Sequence, residues 1–436
     1  MVCRTTGSDS ATAPWMHLLH SSVAPLVFLV EGSRLFATTS SFHTALANGD
    51  EGAIARLRAI AAAPQPRAAA VRPRRPTALS LNLAQICNLA CVYCYADQGR
   101  FGAAPQIMTE AVAFAAIEAF LAGADGAPMT LGFIGGEPFL ARDLLHACVR
   151  RAVLAAGRAG IDLRFSVTTN GTLLTEADHM LLRQHPFAVT VSIDGGRDVH
   201  DRQRPDRAGR GSLAAVVAGV KPLLREPGGA RLTARATIGR DDLRVAERIA
   251  EIACLGFRDV GVSPLRTAPD PALILRDGDW PRFLDAMVEA ADIEWRRVHD
   301  GAAPRFANLW IALKEIHRGS AKPLPCGAAL SYLSLDAEGR YHTCHRTIGD
   351  ARFALGSLAT GLDDAAREAF LSARHVDQQE PCRSCWARYL CGGGCHAEVV
   401  SAGRTGCEYI RGWLEYCLAR YDEVMRDRPK LIEDPS

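Results

Sequence analysis

Between residues 78 and about 300 the chain alternates two patterns of apolar and polar positions. Runs rich in apolar and β-branched residues read as strands: "ALSLNLA" (78–84), "PMTLGFI" (128–134), "DLRFSVTT" (162–169), "FAVTVSID" (187–194), "ARLTARATI" (230–238) and "FRDVGVSPL" (257–265). Between them lie "TEAVAFAAIEAFLAG", "ARDLLHACVRRAVLAAG", "TEADHMLLRQH", "SLAAVVAGVKPLLRE" and "DDLRVAERIAEIACLG", whose apolar residues recur at helical spacing. This alternation predicts βα units and a parallel sheet. Six repeats fit an incomplete (β/α) barrel or an open sheet. In both, function gathers at the C-terminal ends of the strands.

Upstream, "APLVFLVEG" and "SRLFATTSS" predict a hairpin around Glu31-Gly32, and "EGAIARLRAIAA" (51–62) a helix. The stretch 61–77 carries four prolines and little periodicity, so its second half reads as a linker. From 320 onward the βα pattern gives way to a cysteine-bearing region.

The 436 residues suggest two to four domains. A formal net charge of +2 gives no global pull toward nucleic acid or an anionic membrane, and neither is expected as a partner. The early apolar run "VAPLVFLV" (23–30) contains a proline, lacks a basic flank and is far short of a span of about 20 residues. The expected location is the cytoplasm. The 14 cysteines are then expected as reduced thiols, where clustering points to metal binding or catalysis.

"AQICNLACVYCYADQG" (84–99) places Cys87, Cys91 and Cys94 in a C-x3-C-x2-C array directly after the first strand of the βα region. A structural zinc site usually closes with four ligands, and so does a [4Fe–4S] cluster. Three thiols can hold three irons and leave the fourth open to a non-protein ligand; a zinc site completed by a distant residue is the alternative. "GFIGGEP" (132–138) follows the second strand: Gly135 and Gly136 admit close backbone approach to a ligand, and Glu137 offers an acceptor to an ammonium group. "TTNG" (168–171) and "SIDG" (192–195) end the next two strands, although Asn-Gly often marks a turn alone.

These motifs in this order resemble the radical S-adenosylmethionine (SAM) superfamily. The resemblance implies a partial, TIM-like (β/α)6 barrel and a cluster whose open iron is chelated by SAM, with Cys87, Cys91 and Cys94 as its ligands. It implies cleavage of SAM to a 5′-deoxyadenosyl radical after one-electron reduction by an external donor of flavodoxin or ferredoxin type. It further implies SAM contacts from Tyr93 near the adenine, Gly135, Gly136, Glu137, Pro138, Asn170 and Ser192, with Asp194 as a residue that faces the substrate instead. Arg235 is a candidate partner for the SAM carboxylate or an ordinary barrel-rim arginine. "HDRQRP" (200–205) also resembles the family's sequence after the fourth strand, with no role assigned.

Cys326 is followed by twelve residues, Gly339, four residues and Cys344; then come Cys382-x2-Cys385-x5-Cys391-x3-Cys395 and Cys407. This resembles the SPASM domain of peptide-modifying radical SAM enzymes and implies two auxiliary [4Fe–4S] clusters. Cys382, Cys385, Cys391 and Cys407 would hold the outer one. Cys326, Cys344 and Cys395 would hold the inner one, with a possible open iron for a substrate thiolate. Cys417 is the alternative to Cys407 as last ligand. Cys148 and Cys254 read as core thiols, and Cys3 has no context.

The stretches "LNLAQICNLACVYCYADQGRFG", "PCGAALSYLSLDAEGRYHTCHRTIG" and "CGGGCHAEVVSAGRTGCEYIRGWLEYC" look most like the subgroup that matures the small subunit of quinohemoprotein amine dehydrogenase. That likeness implies thioether bonds from a cysteine sulfur to an Asp or Glu side-chain carbon of a peptide or small-protein substrate. His345, in "TCHRT", stands where sulfatase-maturing relatives carry Asp. Other peptide radical chemistry (carbon–carbon crosslinking, decarboxylation, oxidation), a non-catalytic iron–sulfur electron carrier and a zinc adaptor are the competing readings. The expected division is 1–75, a winged-helix-like unit and linker that would bind a leader segment; 76–318, the barrel; 319–422, the SPASM domain; and 423–436, a tail.

Overall fold

The computed structural model describes residues 15–61 and 71–433; Cys3 and residues 62–70 of the proline-bearing stretch lie outside them. Three strands open the chain, β1 (Met16–His20), β2 (Pro25–Leu29) and β3 (Arg34–Ala37), followed by α1 (Ser40–Ala47) and α2 (Glu51–Ala61). They form an antiparallel sheet in the order β1-β2-β3. Strand β2 is apolar at every position because both its faces are covered. Leu26 and Phe28 join the main core, whereas Val27 and Leu29 pack with Leu46, Ala53 and Leu57. Strand β1 was not foreseen, since histidines at both ends of "HLLH" leave too short an apolar signal.

The barrel follows as β4 (Ala78–Gln85), the short β5 (Gln106–Ile107), α3 (Glu110–Leu121), β6 (Met129–Gly135), α4 (Arg142–Ala159), β7 (Leu163–Thr169), α5 (Glu176–Gln184) and β8 (Phe187–Ser192). It continues through α6 (Arg197–Gln203), α7 (Leu213–Arg225), β9 (Arg231–Ile238), α8 (Val245–Cys254), β10 (Val260–Pro264), α9 (Trp280–His299) and α10 (Ala307–His317). Strands β4, β6, β7, β8, β9 and β10 pair in parallel in chain order, as βα units require. Side chains alternate between faces. One face buries Phe133, Phe165 and Phe187, with ring centroids of the last two 5.0 Å apart. The other is small and polar. Ser80, Gly132 and Ser166 are register partners, and a Cβ on Gly132 would come within 2.8 Å of the Ser80 hydroxyl.

The cysteine-rich region begins by extending the barrel's own sheet. β11 (Tyr332–Leu335) pairs in parallel with β4, and β12 (Arg340–His342), β13 (Ala354–Ser357) and β14 (Gly361–Leu362) continue from it. Helices α11 (Asp364–Arg374), α12 (Arg388–Cys391), α13 (His396–Ala402), α14 (Cys407–Asp427) and α15 (Lys430–Glu433) follow. Thus the sheet has no break at 318/319. The segment expected as a tail is, through residue 433, the end of α14 and α15, because Val424 and Ile432 are buried there. The N-terminal unit docks on α14 and the loop before α12. The His17 ring stacks on Trp386 at 3.9 Å and its Nε2 lies 3.1 Å from Glu415, while Ser21 donates to Asp422 at 2.7 Å. Among the described residues, no helix is long and apolar enough to cross a membrane.

Candidate active site

Strand β4 delivers the chain to the loop that carries Cys87, Cys91 and Cys94, and neighbours from three sides hold that loop. From β6 and the turn after it, Gly136 N donates to Ala84 O at 2.8 Å and Glu137 N to Ile86 O at 3.0 Å. From the segment after α6, Pro205 O accepts from Ala90 N (2.8 Å), Gln203 O accepts from Val92 N (3.0 Å), and the Arg207 guanidinium donates to Cys87 O (2.8 Å). From the end of β7, Asn170 donates to Asn88 Oδ1 (2.9 Å) and points Nδ2 at Cys87 Sγ (3.8 Å).

Two of the thiols, Cys87 and Cys91, are not disposed to ionise by themselves. Burial pushes the Cys87 thiol up to about 12; the Leu89 amide opposes this, while Glu137, Cys91 and Cys94 add to it. Burial also raises Cys91, with the Arg204 cation as the main opposing influence. Three mutually repelling thiols in such a site suit a cationic centre, because metal coordination deprotonates a thiol outright.

The glycine pair is needed, but for a different neighbour than the sequence suggests. A Cβ on Gly136 would sit 2.3 Å from Ile86 O and 2.8 Å from the Gly99 Cα; one on Gly135 would sit 2.4 Å from Ala84 O. The close approach is to the chain's own cysteine loop. Glu137 also differs from expectation. Its carboxylate is fully buried, taking hydrogen bonds from Thr169 Oγ1 (2.7 Å), Asn170 N (2.7 Å) and Phe139 N (3.2 Å). Burial still raises its pKa to about 7 against those donors. It is turned inward, bracing β6 against β7, and Pro138 starts the buried turn behind it.

At the next strand ends, Ser192 and Arg235 are register partners and therefore share a face. Arg235 Nη1 lies where a Cβ on Gly261 would be, at 2.1 Å, so that glycine makes room for the guanidinium. Asp194 is the residue expected to face the substrate. It is fully buried, accepting from Tyr93 OH at 2.6 Å and from Thr237 N at 2.9 Å. Asn82 was overlooked: it is fully buried on β4 beside Gly135, with both side-chain polar atoms unpartnered. An asparagine inside the strand "ALSLNLA" was its signal.

The C-terminal thiols fall into two sets. Cys326, Cys344 and Cys395 act electrostatically on one another, and Cys382, Cys385, Cys391 and Cys407 do likewise. The "CGGGC" turn permits this convergence. All three glycines have positive φ, and a Cβ on Gly392 would meet the Pro325 backbone at 2.5 Å. Cys417 is fully buried within α14, away from both sets. Cys148 is buried, but Cys254 is exposed at the end of α8, where the apolar stripe faces the other way. Among the described residues, no three His, Cys, Asp or Glu side chains close on a point suited to a single metal ion.

Cys94 and Cys344 are linked by Tyr95 and His345, whose ring centroids are 6.5 Å apart. His345 Nδ1 shares a hydrogen bond with Tyr332 OH at 2.9 Å, and burial then Arg346 push its pKa down to about 4. Beside them lies a cavity of about 480 Å³ lined by Cys94, Tyr95, Thr267, Arg346 and Glu398. Glu398 joins Arg346 (2.7 Å) to Arg266 (3.8 Å) across it.

The Radical SAM superfamily profile matches residues 81–226. That span contains the three-cysteine loop and the strand ends that hold it. The chain is an enzyme with a radical SAM domain over residues 81–226. Its cofactors are SAM and [4Fe–4S] clusters, one at the SAM site and two auxiliary, and the three thiol sets fit them. A serine-type anaerobic sulfatase-maturating enzyme of Klebsiella aerogenes is 27% identical over 359 residues, covering 77% of this chain and 84% of that protein. The structure of native anSMEcpe with bound AdoMet has a TM-score of 0.68 at 20% identity, covering 80% of this chain and all of that one. Streptococcus suis SuiB gives 0.53 at 14% identity, covering 89% and 96%. At those identities the likeness is one of fold: the radical SAM enzyme has a barrel with a C-terminal extension.

Proposed function

We propose that this enzyme is a peptide maturase that joins a cysteine sulfur to an Asp or Glu side-chain carbon of its substrate, as in maturation of the quinohemoprotein amine dehydrogenase small subunit. The reading assigns Cys87, Cys91 and Cys94 to the SAM-site cluster. Cys326, Cys344 and Cys395 belong to the inner auxiliary cluster, and Cys382, Cys385, Cys391 and Cys407 to the outer one. SAM with its reduced cluster supplies a 5′-deoxyadenosyl radical. Tyr93, Gly135, Gly136, Pro138, Asn170, Ser192 and Arg235 shape its site, and Glu137 acts behind them through Asn170 and Thr169. The substrate enters the cavity lined by Cys94, Arg346 and Glu398.

The carrying observation is the inner set. It has three thiols, and the remaining described cysteines, Cys148, Cys254 and Cys417, are elsewhere. A three-thiol centre beside a substrate cavity leaves a place for a substrate sulfur. Bond formation removes two hydrogens and consumes a thiol.

The exposed β3 edge of the N-terminal sheet suits a leader segment added as a strand. An external flavodoxin or ferredoxin supplies electrons, and the cytoplasm is the location that this reading expects.

A second reading, side-chain oxidation, is favoured by the sulfatase-maturating relatives. The test is anaerobic reconstitution with iron and sulfide, then SAM, a reductant and a cysteine-containing peptide encoded beside the gene. Thioether formation predicts 5′-deoxyadenosine, a loss of two hydrogens per crosslink and a cysteine no longer open to alkylation. A product that reacts with aldehyde reagents instead selects oxidation.

A further inference from the structure

The "HDRQRP" segment finds no use in the reading above, yet the structure lays it along the cysteine loop in register. Ala90 N donates to Pro205 O at 2.8 Å and Val92 N to Gln203 O at 3.0 Å. These two bonds flank Cys91 on one strand and Arg204 on the other. Arg204 is 8% exposed, donates from Nη1 to Tyr93 OH at 2.6 Å, and holds its guanidinium 5.9 Å from the Tyr93 ring centroid. Tyr93 OH in turn donates to Asp194 Oδ2 at 2.6 Å.

Among the described residues, Arg204 makes no direct ion pair with a carboxylate, and its buried Nε has no partner. Its charge reaches Asp194 only through a phenol. A buried cation so incompletely matched is costly unless another anion lies beside it. The neighbour is Cys91, on which Arg204 is the foremost stabilising charge.

We propose that Arg204 is a positioning residue for the SAM-site cluster: a buried cation, set opposite Cys91, that favours the cluster's reduced state. A [4Fe–4S]2+ core with three thiolates is already net negative and gains one further negative charge on reduction, so a nearby cation stabilises the reduced form more. Asp194, relayed by Tyr93, partly offsets that cation and limits the effect. The electron itself comes from the external donor.

This inference rests on assigning Cys87, Cys91 and Cys94 to the SAM site; absence of a SAM-responsive cluster in the wild type defeats that assignment, not the role of Arg204. The test uses the full-length, fully reconstituted protein in an equilibrium redox titration with dithionite. Paramagnetic resonance follows the reduced signal that changes when SAM is added. Arg204→Gln is expected to lower the reduced-to-oxidised ratio of that cluster about tenfold at fixed potential, about 59 mV for one electron. Arg204→Lys should stay within threefold of wild type. Asp194→Asn should move the ratio the other way, because it removes the opposing anion while keeping an amide to bond Tyr93. Opposite signs separate charge from damage, and the auxiliary signals should not move. An unchanged potential in Arg204→Gln overturns the proposal. Should that variant lose its cluster, no rise, or a fall, in Asp194→Asn overturns it instead.

Discussion

The thiols of residues 87–94 share one short loop, with two buried carboxylates and one buried arginine beside them; those of residues 326–407 are scattered along the chain, with arginines beside Cys382 and Cys395. Glu137 and Asp194 act on Cys87 and Cys91, with Arg204 as counterweight. In the C-terminal region Arg404 acts on Cys382, and Cys382 and Cys395 both act on the buried Arg374. Burial raises thiols in both regions. The difference lies in the neighbouring charges: carboxylates oppose an arginine at the first set, whereas an arginine is the charged neighbour of Cys382 in the second.

The comparison breaks most completely if the regions can be emptied separately. Replacing Cys87, Cys91 and Cys94 together with Ala is expected to abolish 5′-deoxyadenosine formation while the auxiliary iron remains, read by product assay and iron per chain. Persistent SAM cleavage in that variant sinks the division of roles. Next in size is Gly136→Ala, which presses a methyl group on Ile86 O at 2.3 Å. Overpacking of this kind costs about 1–3 kcal/mol. The strain falls on the cysteine loop, so SAM cleavage should drop at least tenfold and loop iron should be lost, with the C-terminal iron intact.

The C-terminal side is sharpened by a pair. Cys407→Ala should lose the iron of one cluster. Cys417→Ala should keep all its iron and lose on the order of 1 kcal/mol of stability to a small core cavity, measured by thermal melting. Equal iron contents in the two variants would exclude Cys407 as the last ligand.

The smallest effect tests the sheet that joins the regions. Burial alone would raise the pKa of Asp336, but bonds from His342, the Arg340 amide and the Arg340 side chain hold it at about 2. A depressed folded pKa stabilises above the unfolded value near 4, and the benefit disappears as pH falls from about 4 to about 2. It amounts to about 2 kcal/mol. Asp336→Asn should therefore melt earlier at pH 7 and converge with wild type near pH 2.

Much was legible before folding. Each of the six parallel strands appears within a few residues of its expected place, because apolar and β-branched runs with Gly or Pro punctuation are local signals, whereas the two-residue β5 was not foreseen. Glu137 and Arg204 were not legible in the same way. Glu137 looked like a ligand contact because a carboxylate in a glycine turn usually faces solvent or a guest; here β7 supplies its donors from 32 and 33 residues away. Arg204 lies in a segment that resembled the family but suggested no role, since its meaning depends on a loop 111 residues distant from it at Tyr93. Cys254 was misread because helical spacing identifies an apolar stripe but not how the last turn sits at its edge.

The sequence alone therefore determined the βα order, the three-thiol loop and the seven C-terminal cysteines, because these depend on residue type and short spacing. Only the tertiary structure decided which thiols stand together, that the glycine pair makes room for the chain itself, and which buried charges face each thiol. Those are outcomes of close packing between distant segments, where a few ångströms at low dielectric decide the sign of an interaction.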